Sequence, residues 1–520
     1  MTAGTNGPSR EQKYDRQLRL WQAHGQKALE NTSILVVHAN ATATETLKNL
    51  VLPGIGSFTL VDGKVVDGAD AGSNFFLEGS DIGRSRAQAA AALLAELNPD
   101  VRARAVVADV EKALTVSPEL VTQHNIVVAS SLPQHILLPL AKLCAAENIP
   151  LIVVRAYGFV GHLRIQAVEH CIVESHPDTI NDLRLDCPFP ELLAYANSFD
   201  FHALDNMTYA HIPYVVILLR CLEEWKSKNN GALPTTSPEK TAFRQMVTSL
   251  KREGVEDENF EEALKGVFRA LQPTKIDSKV ASILEEARTK PITAETNNFW
   301  ILAKAVAEFV DSENGKLPLA GVVPDMKSDT ESFVKLQTIF RDKAHKDVAK
   351  VHAIASNLSV GATGPSLEET ARFCKNARNL VLIRTSTIES EYAEPYAGTM
   401  ADMPENNVQY YLALRGVDAF YEEHKRYPGY HAEEVESDIG LLKKSCTAVV
   451  TKMGLKNVAV SDDIIHEMVR AGASELHTMA SFMGGVCSQE AIKLITGQYT
   501  VLNNTFVYDG MRSVGAAHTF

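Results

Sequence analysis

Glycine is missing where a nucleotide-binding chain most needs it. Ile34-Leu35-Val36-Val37 reads as a short buried strand, and the turn that follows, His38-Ala39-Asn40-Ala41-Thr42, carries no glycine before Gly54. Cysteine is sparse too: seven residues, odd in number and scattered, with no Cys-x-x-Cys pair, which argues against a disulfide framework and a zinc site and fits a reducing compartment. Basic charge is in deficit. The 51 Lys and Arg face 64 Asp and Glu, and the net charge of −13 argues against a nucleic-acid binder. Long apolar runs are also lacking: stretches such as Val215–Leu219 are far too short to cross a bilayer, and Met1–Pro8 is polar and uncharged, unlike a signal peptide. A cytoplasmic or nuclear protein is expected, without nucleic acid or membrane as partner.

The chain of 520 residues is long enough for two or three domains. After the first strand, Ala43–Leu52 has helical apolar spacing and stops at Pro53, and Phe58-Thr59-Leu60-Val61 is a second strand ending on Asp62. Strand, helix, strand and terminal acid is the opening of a nucleotide-binding α/β fold. The glycine-free turn leaves no close backbone approach for a phosphate. Thr42 and Glu45 have capping-box spacing, which would put a carboxylate at the helix N-terminus where a phosphate would otherwise be drawn. The pattern implies a nucleotide-binding fold without its nucleotide.

In chain order, Ser9-Arg10-Glu11-Gln12 is a capping box that starts a helix, with Tyr14, Leu18 and Trp21 on one face and Arg16 pointing elsewhere. Arg16 admits two readings: a solvated arginine paired with a neighbouring acid, or one presented to something outside the subunit. Ser85–Leu97 is an alanine-rich helix ended by Asn98-Pro99. Ile126–Ala129 and Leu151–Val154 are parallel-sheet strands joined by a helix over Ile136–Glu147, and Leu163–Val168 is a further strand. From Glu169 to about Ser474 the chain is mostly amphipathic helix: His211–Lys228, Asn259–Leu271, Asn297–Val310, Glu331–Ala355 and Val408–His424. Its loops, such as Gly315–Asp325 and Gly361–Ser366, are rich in Gly, Pro and Asp. At the end, His477–Ile495 is a helix broken at Gly484-Gly485, followed by a hairpin of Tyr499–Leu502 and Thr505–Tyr508. The expected architecture is α/β with a large helical insert: 1–168 and 475–520 form one domain and 169–474 the insert.

Four stretches in this order resemble the activating enzymes of ubiquitin-like modifiers: Tyr14-Asp15-Arg16-Gln17-Leu18-Arg19-Leu20-Trp21, Leu52-Pro53-Gly54-Ile55-Gly56-Ser57, Ile82-Gly83-Arg84-Ser85-Arg86-Ala87 and Gly484-Gly485-Val486-Cys487-Ser488-Gln489-Glu490. The resemblance covers most of the chain. It implies a Rossmann-like adenylation domain of the ThiF/MoeB kind, in an enzyme that adenylates a modifier's C-terminal glycine and passes it to a cysteine. In split members an active and a degenerate subunit pair. The insert's length, with Glu174-Ser175-His176-Pro177-Asp178, Asp182-Leu183-Arg184-Leu185-Asp186 and Arg426-Tyr427-Pro428-Gly429, resembles the degenerate, regulatory subunits of the neddylation branch. The corresponding sumoylation subunit, which is shorter, is the alternative.

That resemblance implies no activity for the chain alone. Where active relatives have an Asn-x-Asn-Arg-Gln element, Ala69–Asn74 supplies no arginine. Ser130-Ser131 stands where relatives place a magnesium aspartate, and Arg84 where a lysine of the site lies. Asp62 remains, a residue that can equally cap its own turn. Asp186-Cys187-Pro188 does not match the family's Pro-x-Cys-Thr nucleophile, so Cys187 and Cys171 are expected to be structural. His176 is expected to be a loop residue, and His466-Glu467 lacks a second metal-binding histidine. No cofactor is expected on this chain, ATP and magnesium belonging to a homologous catalytic subunit that also handles the neddylation modifier. Arg16 is expected to reach that partner's ATP in trans, with Arg19 a weaker candidate; Arg16, Trp21 and Arg84 are the interface candidates. A dinucleotide enzyme with an unusual turn and a scaffold using residues 169–474 are the competing readings.

Overall fold

The computed structural model describes residues 9–177, 181–361, 364–393, 406–455 and 458–520. The readings on Met1–Pro8, on Asp178 and on residues 362–363 of the Gly361–Ser366 loop lie outside them.

Eight strands form one sheet in the order β10-β9-β6-β5-β4-β1-β2-β3. They are β1 (Ser33–Val37), β2 (Ser57–Val61), β3 (Arg102–Val106), β4 (Ile126–Ser130), β5 (Leu151–Tyr157), β6 (Val160–Gln166), β9 (Thr505–Asp509) and β10 (Val514–His518). Two short strands, β7 (His170–Ile172) and β8 (Val381–Ile383), make a second sheet. From β3 through β5 the pairing is parallel, and from β5 to β10 it is antiparallel. Central strands β1, β4 and β5 hold apolar runs, Ile34–Val37, Ile126–Ala129 and Leu151–Val154, because helices cover both of their faces. The edge strand β3 escapes a reading based on apolar runs: Arg102-Ala103-Arg104 is exposed on the sheet's margin. After β3 the chain returns to lay β4 on the other side of β1, and this reversal opens a crevice beyond the carboxyl ends of β1 and β4.

Chain contacts divide the protein into Met1–Ile172 with Leu382–Phe520, and Val173–Val381. The expected insert of 169–474 is therefore too long. Helices Asn406–His424, Val435–Lys452 and Asp462–Ala471 belong with the α/β unit, because their apolar residues share a core with Tyr157, Val160 and Val507 of its sheet. The other unit is built of helices including Tyr214–Lys228, Glu258–Ala270, Asn298–Ser312 and the 29-residue Thr330–Leu358. Phe243, Phe260 and Phe340 are fully buried at its centre.

Three local expectations change. The N-terminal capping box on Ser9 is present but serves only Arg10–Lys13, and the next helix, Asp15–Glu30, is kinked at Gln22, whose φ is 60°. His477–Thr496 is one continuous helix through Gly484-Gly485, closed by left-handed Gly497. The C-terminal hairpin is β9 with β10, while Tyr499–Leu502 forms no strand, since the Leu502 N–H donates to Glu490 Oε2 at 2.8 Å.

Candidate functional site

The crevice opens at the turn between β1 and the Ala41–Val51 helix. His38 takes the left-handed conformation there, φ 74°, a region that glycine enters without strain. Its Nδ1 lies 2.9 Å from the Ser130 carbonyl, which can only accept, so Nδ1 carries the proton. Burial keeps the ring neutral, pushing its pKa down to about 4, with Arg86 and Lys64 adding to the effect against Asp62.

Asp62, at the end of β2, does more than cap its own turn. Its Oδ1 accepts from the Lys64 N–H at 2.8 Å, and its Oδ2 accepts from the Ala39 N–H at 2.7 Å. The same Oδ2 takes Nε and Nη2 of Arg86 at 2.9 and 2.6 Å, while Arg86 Nη1 reaches Asp70 at 2.9 Å. Burial works to raise the Asp62 carboxyl's pKa, but the Arg86 guanidinium outweighs it and holds the group below the usual carboxylate range. Asn74 completes the frame, accepting from Thr44 Oγ1 and donating to the Ala39 carbonyl.

The helix N-terminus is occupied by a carboxylate, though not by the one expected. Asn40, not Thr42, is the N-cap, and its side chain accepts from the Ala43 N–H. Glu45 points along the helix instead: it is 1% exposed, pairs with Lys48, accepts from Ser481 Oγ at 3.1 Å and lies 3.4 Å from His477 Nε2. The carboxylate in the anion position belongs to Glu475. Its Oε2 accepts from the Ala41 N–H at 2.9 Å, and its Oε1 from Asn40 Nδ2 and Thr42 Oγ1 at 2.8 and 3.0 Å. Burial raises its pKa against these hydrogen bonds.

These residues do not fit a nucleotide triphosphate. The anion position holds the protein's own carboxylate, the deeply buried Arg86 is tied to Asp62 and Asp70, and β4 ends on Ser130-Ser131 without an acid. Among the described residues no group of three His, Cys, Asp or Glu side chains could hold a metal ion.

The other candidates fall into two sets. Arg16 is exposed and has no ion pair among the described residues, whereas Arg10 pairs with Glu30, Lys13 with Asp100 at 2.6 Å and Arg19 with Asp15 at 3.1 Å. Arg84 is exposed and pairs with Asp81 at 2.6 Å. Trp21, expected at an interface, is buried: its indole N–H donates to Gln26 Oε1 at 3.1 Å and its carbonyl accepts from Gln498 Nε2, so it anchors the helix within this chain. Cys187 donates to Asp186 Oδ1 at 3.3 Å, and burial together with that acid pushes its thiol pKa up, the opposite of an activated nucleophile. Arg426 makes a two-pronged bond to Asp438 at 2.6 and 2.8 Å, which marks its motif as a structural clamp.

Sequence reasoning passed over Glu475 and Arg86. Arg86 stood inside a quoted motif, two residues beyond the arginine given the role. Nothing local marks Glu475, whose partners lie more than 430 positions away in the chain.

The ThiF family matches residues 14–518. The chain is 45% identical to the NEDD8-activating enzyme E1 regulatory subunit of Xenopus laevis, over 98% of both chains. It is 36% identical to the regulatory subunit AXR1 of Arabidopsis thaliana, over 96% of this chain and 94% of that one. It is also 36% identical to the Drosophila melanogaster regulatory subunit, over 96% of each. These relatives do not favour the sumoylation alternative. The chain belongs to the ThiF family, on the branch of the NEDD8-activating enzyme E1 regulatory subunits.

Proposed function

We propose that this chain acts as a regulatory subunit whose own nucleotide site is closed, and that it completes the ATP site of a homologous catalytic partner that activates NEDD8. The observation that carries this is Glu475 seated on the Asn40–Thr42 turn, in the place a phosphate would take. ATP and magnesium then belong to the partner, and Arg16 is the planar cation given to its phosphates. Arg16 is suited to that role because Arg10, Lys13 and Arg19 are already paired while it has no ion pair among the described residues. Exposed apolar residues around the closed crevice, Val65, Phe75 and Ile82, supply surface for the subunit contact.

The test is modifier-dependent pyrophosphate exchange by the assembled pair at limiting ATP. Arg16→Ala is expected to slow exchange by roughly tenfold or more, with assembly by size exclusion unchanged. Arg19→Ala, which breaks only an exposed i,i+4 pair, is expected to change it far less. Unchanged exchange in Arg16→Ala would reject the arginine's role. Stoichiometric heat from titrating ATP into the chain alone would reject the closed site.

A further inference from the structure

A second polar site lies in the α/β unit, within the face formed by β5 and β6. In the antiparallel register Arg155 sits opposite His162 and Val153 opposite Arg164, so both arginines and the histidine share one face of the sheet. The Asn406–His424 helix brings Tyr411, Arg415 and Asp418 to them at helical spacing, and the Ile388–Glu391 helix brings Glu391. Together these side chains enclose a cavity of about 40 Å³.

Among the described residues the charges inside do not balance. Arg155 pairs with Asp418 at 2.7 Å, and Arg164 pairs with Glu391 while donating to the Ser386 carbonyl and hydroxyl. Arg415 has no ion pair among the described residues. Its Nη1 donates to the Tyr411 hydroxyl and the Glu391 carbonyl, both at 3.1 Å, and its guanidinium lies 3.4 Å from the Tyr392 ring centre. Tyr411 in turn donates to Glu391 Oε2 at 3.0 Å. The nearest further acid on the helix, Glu422, is held by His135 and Lys425. Among the described residues three guanidiniums thus face two carboxylates. Arginine cannot shed its proton to relieve burial, so the surplus charge calls for a counter-ion. His162 Nε2 is buried in the same cavity with no hydrogen-bond partner among the described residues. Burial and the three arginines keep that ring neutral, with its pKa pushed down to about 3, and a neutral imidazole can present an N–H there.

We propose that this cavity binds one small monovalent anion, chloride or a planar oxyanion of bicarbonate size, between the Arg415 guanidinium and His162 Nε2. The volume sets the class: a single water needs roughly 10–15 Å³ on this measure, so the space takes an ion of a few heavy atoms and excludes a nucleotide or phosphate ester. The anion ties the Ile388–Glu391 and Asn406–His424 helices to the sheet. The proposal is independent of the role given to Arg16.

The experiment compares thermal unfolding of the full chain in potassium chloride, nitrate and bicarbonate with gluconate, an anion too large for the cavity, at fixed ionic strength. Saturable stabilisation by one or more of the small anions is expected, rising by about 2 °C per tenfold increase above half-saturation. The ranking of the three distinguishes a halide site from an oxyanion site. His162→Leu is expected to weaken the response several-fold and Arg415→Met to abolish it. Crystals grown in gluconate and soaked in bromide are expected to show an anomalous peak against Arg415, a readout that needs no variant to fold. Equal stability in every salt, or a bromide peak without saturable stabilisation (an adventitious ion only), would overturn the proposal.

Discussion

Glu475 satisfies three donors with two oxygens: the Ala41 N–H, the Asn40 amide and the Thr42 hydroxyl. Glu475→Ala strands all three, and a buried donor left without an acceptor costs about 1–3 kcal/mol. Glu475→Gln keeps an oxygen for the Ala41 N–H and removes a charge whose burial is unfavourable, so it is expected to cost less than alanine in chemical denaturation. The alanine variant also reopens the helix N-terminus. Inorganic phosphate, at fixed ionic strength, is expected to raise the melting temperature of Glu475→Ala and not that of the parent chain. An equal response from both would mean that the carboxylate is not what keeps anions out. Other residues behind the family resemblance serve the fold rather than chemistry. Gly54 has φ 89°, and a Cβ there would lie 2.6 Å from the Tyr14 hydroxyl. Asn98 donates to that hydroxyl and to the Val51 carbonyl, which ties Tyr14 to the end of the Ala41–Val51 helix.

At the scale of elements, the two adjacent glycines of the His477–Thr496 helix make opposite predictions. A Cβ on Gly484 would meet the Glu45 Cβ at 2.7 Å and the backbone of Glu45 and Thr46 at 2.9 Å, so this glycine sets how closely the helix crosses Ala41–Val51. A Cβ on Gly485 meets nothing within 4 Å. Gly484→Ala is expected to destabilise by about 1–3 kcal/mol, as overpacking does. Gly485→Ala is expected to be neutral or to stabilise by up to about 1 kcal/mol through helix propensity. Denaturant midpoints of the two variants check both. The same pair shows what was legible in the chain. Glycine in a helical pattern reads as a break from sequence, because the crossing partner that requires it lies far away. The buried strands β1, β2, β4 and β5 were legible because burial on both faces leaves apolar runs, whereas β3 alternates arginine and alanine at an edge and left no such run. The missing glycine was legible, but Glu475 at the helix N-terminus and the arginine holding Asp62 were not, since tertiary approach rather than spacing brings them there. The helices from Asn406 to Ala471 looked like insert because amphipathic spacing records that a face is buried but not against what.

For the molecule as a whole, histidines folded in the neutral state tie stability to pH. Burial pushes His38 and His170 down to about 4 and His162 down to about 3, from an ordinary value near 6.5, and lowers His124 as well. A histidine with a lowered folded pKa binds its proton more readily once unfolded, so its contribution is fully present above pH 6.5 and is lost as pH falls from there through the folded value. At about 1.4 kcal/mol per unit, His38 and His170 each lose up to about 3 kcal/mol over their windows and His162 up to about 5 kcal/mol. Glu475 and Asp418 act in the opposite sense, because burial raises both carboxyls and protonation then favours the fold. Their relief sets in as pH drops through their raised values toward the ordinary carboxylate range, and it offsets part of the histidine loss. The melting temperature of the full chain is therefore expected to fall from pH 6.5 downward, and to keep falling below pH 4, where carboxyls held low by partners, such as Asp62, Asp186 and Asp438, give up their contribution. His38→Asn, which keeps a residue tolerant of the left-handed φ of 74°, removes one of these titrations and is expected to flatten the slope by roughly a quarter. An unchanged slope in that variant would show that His38 is already protonated in the folded chain, and would place a positive charge beside Arg86 at the mouth of the closed crevice.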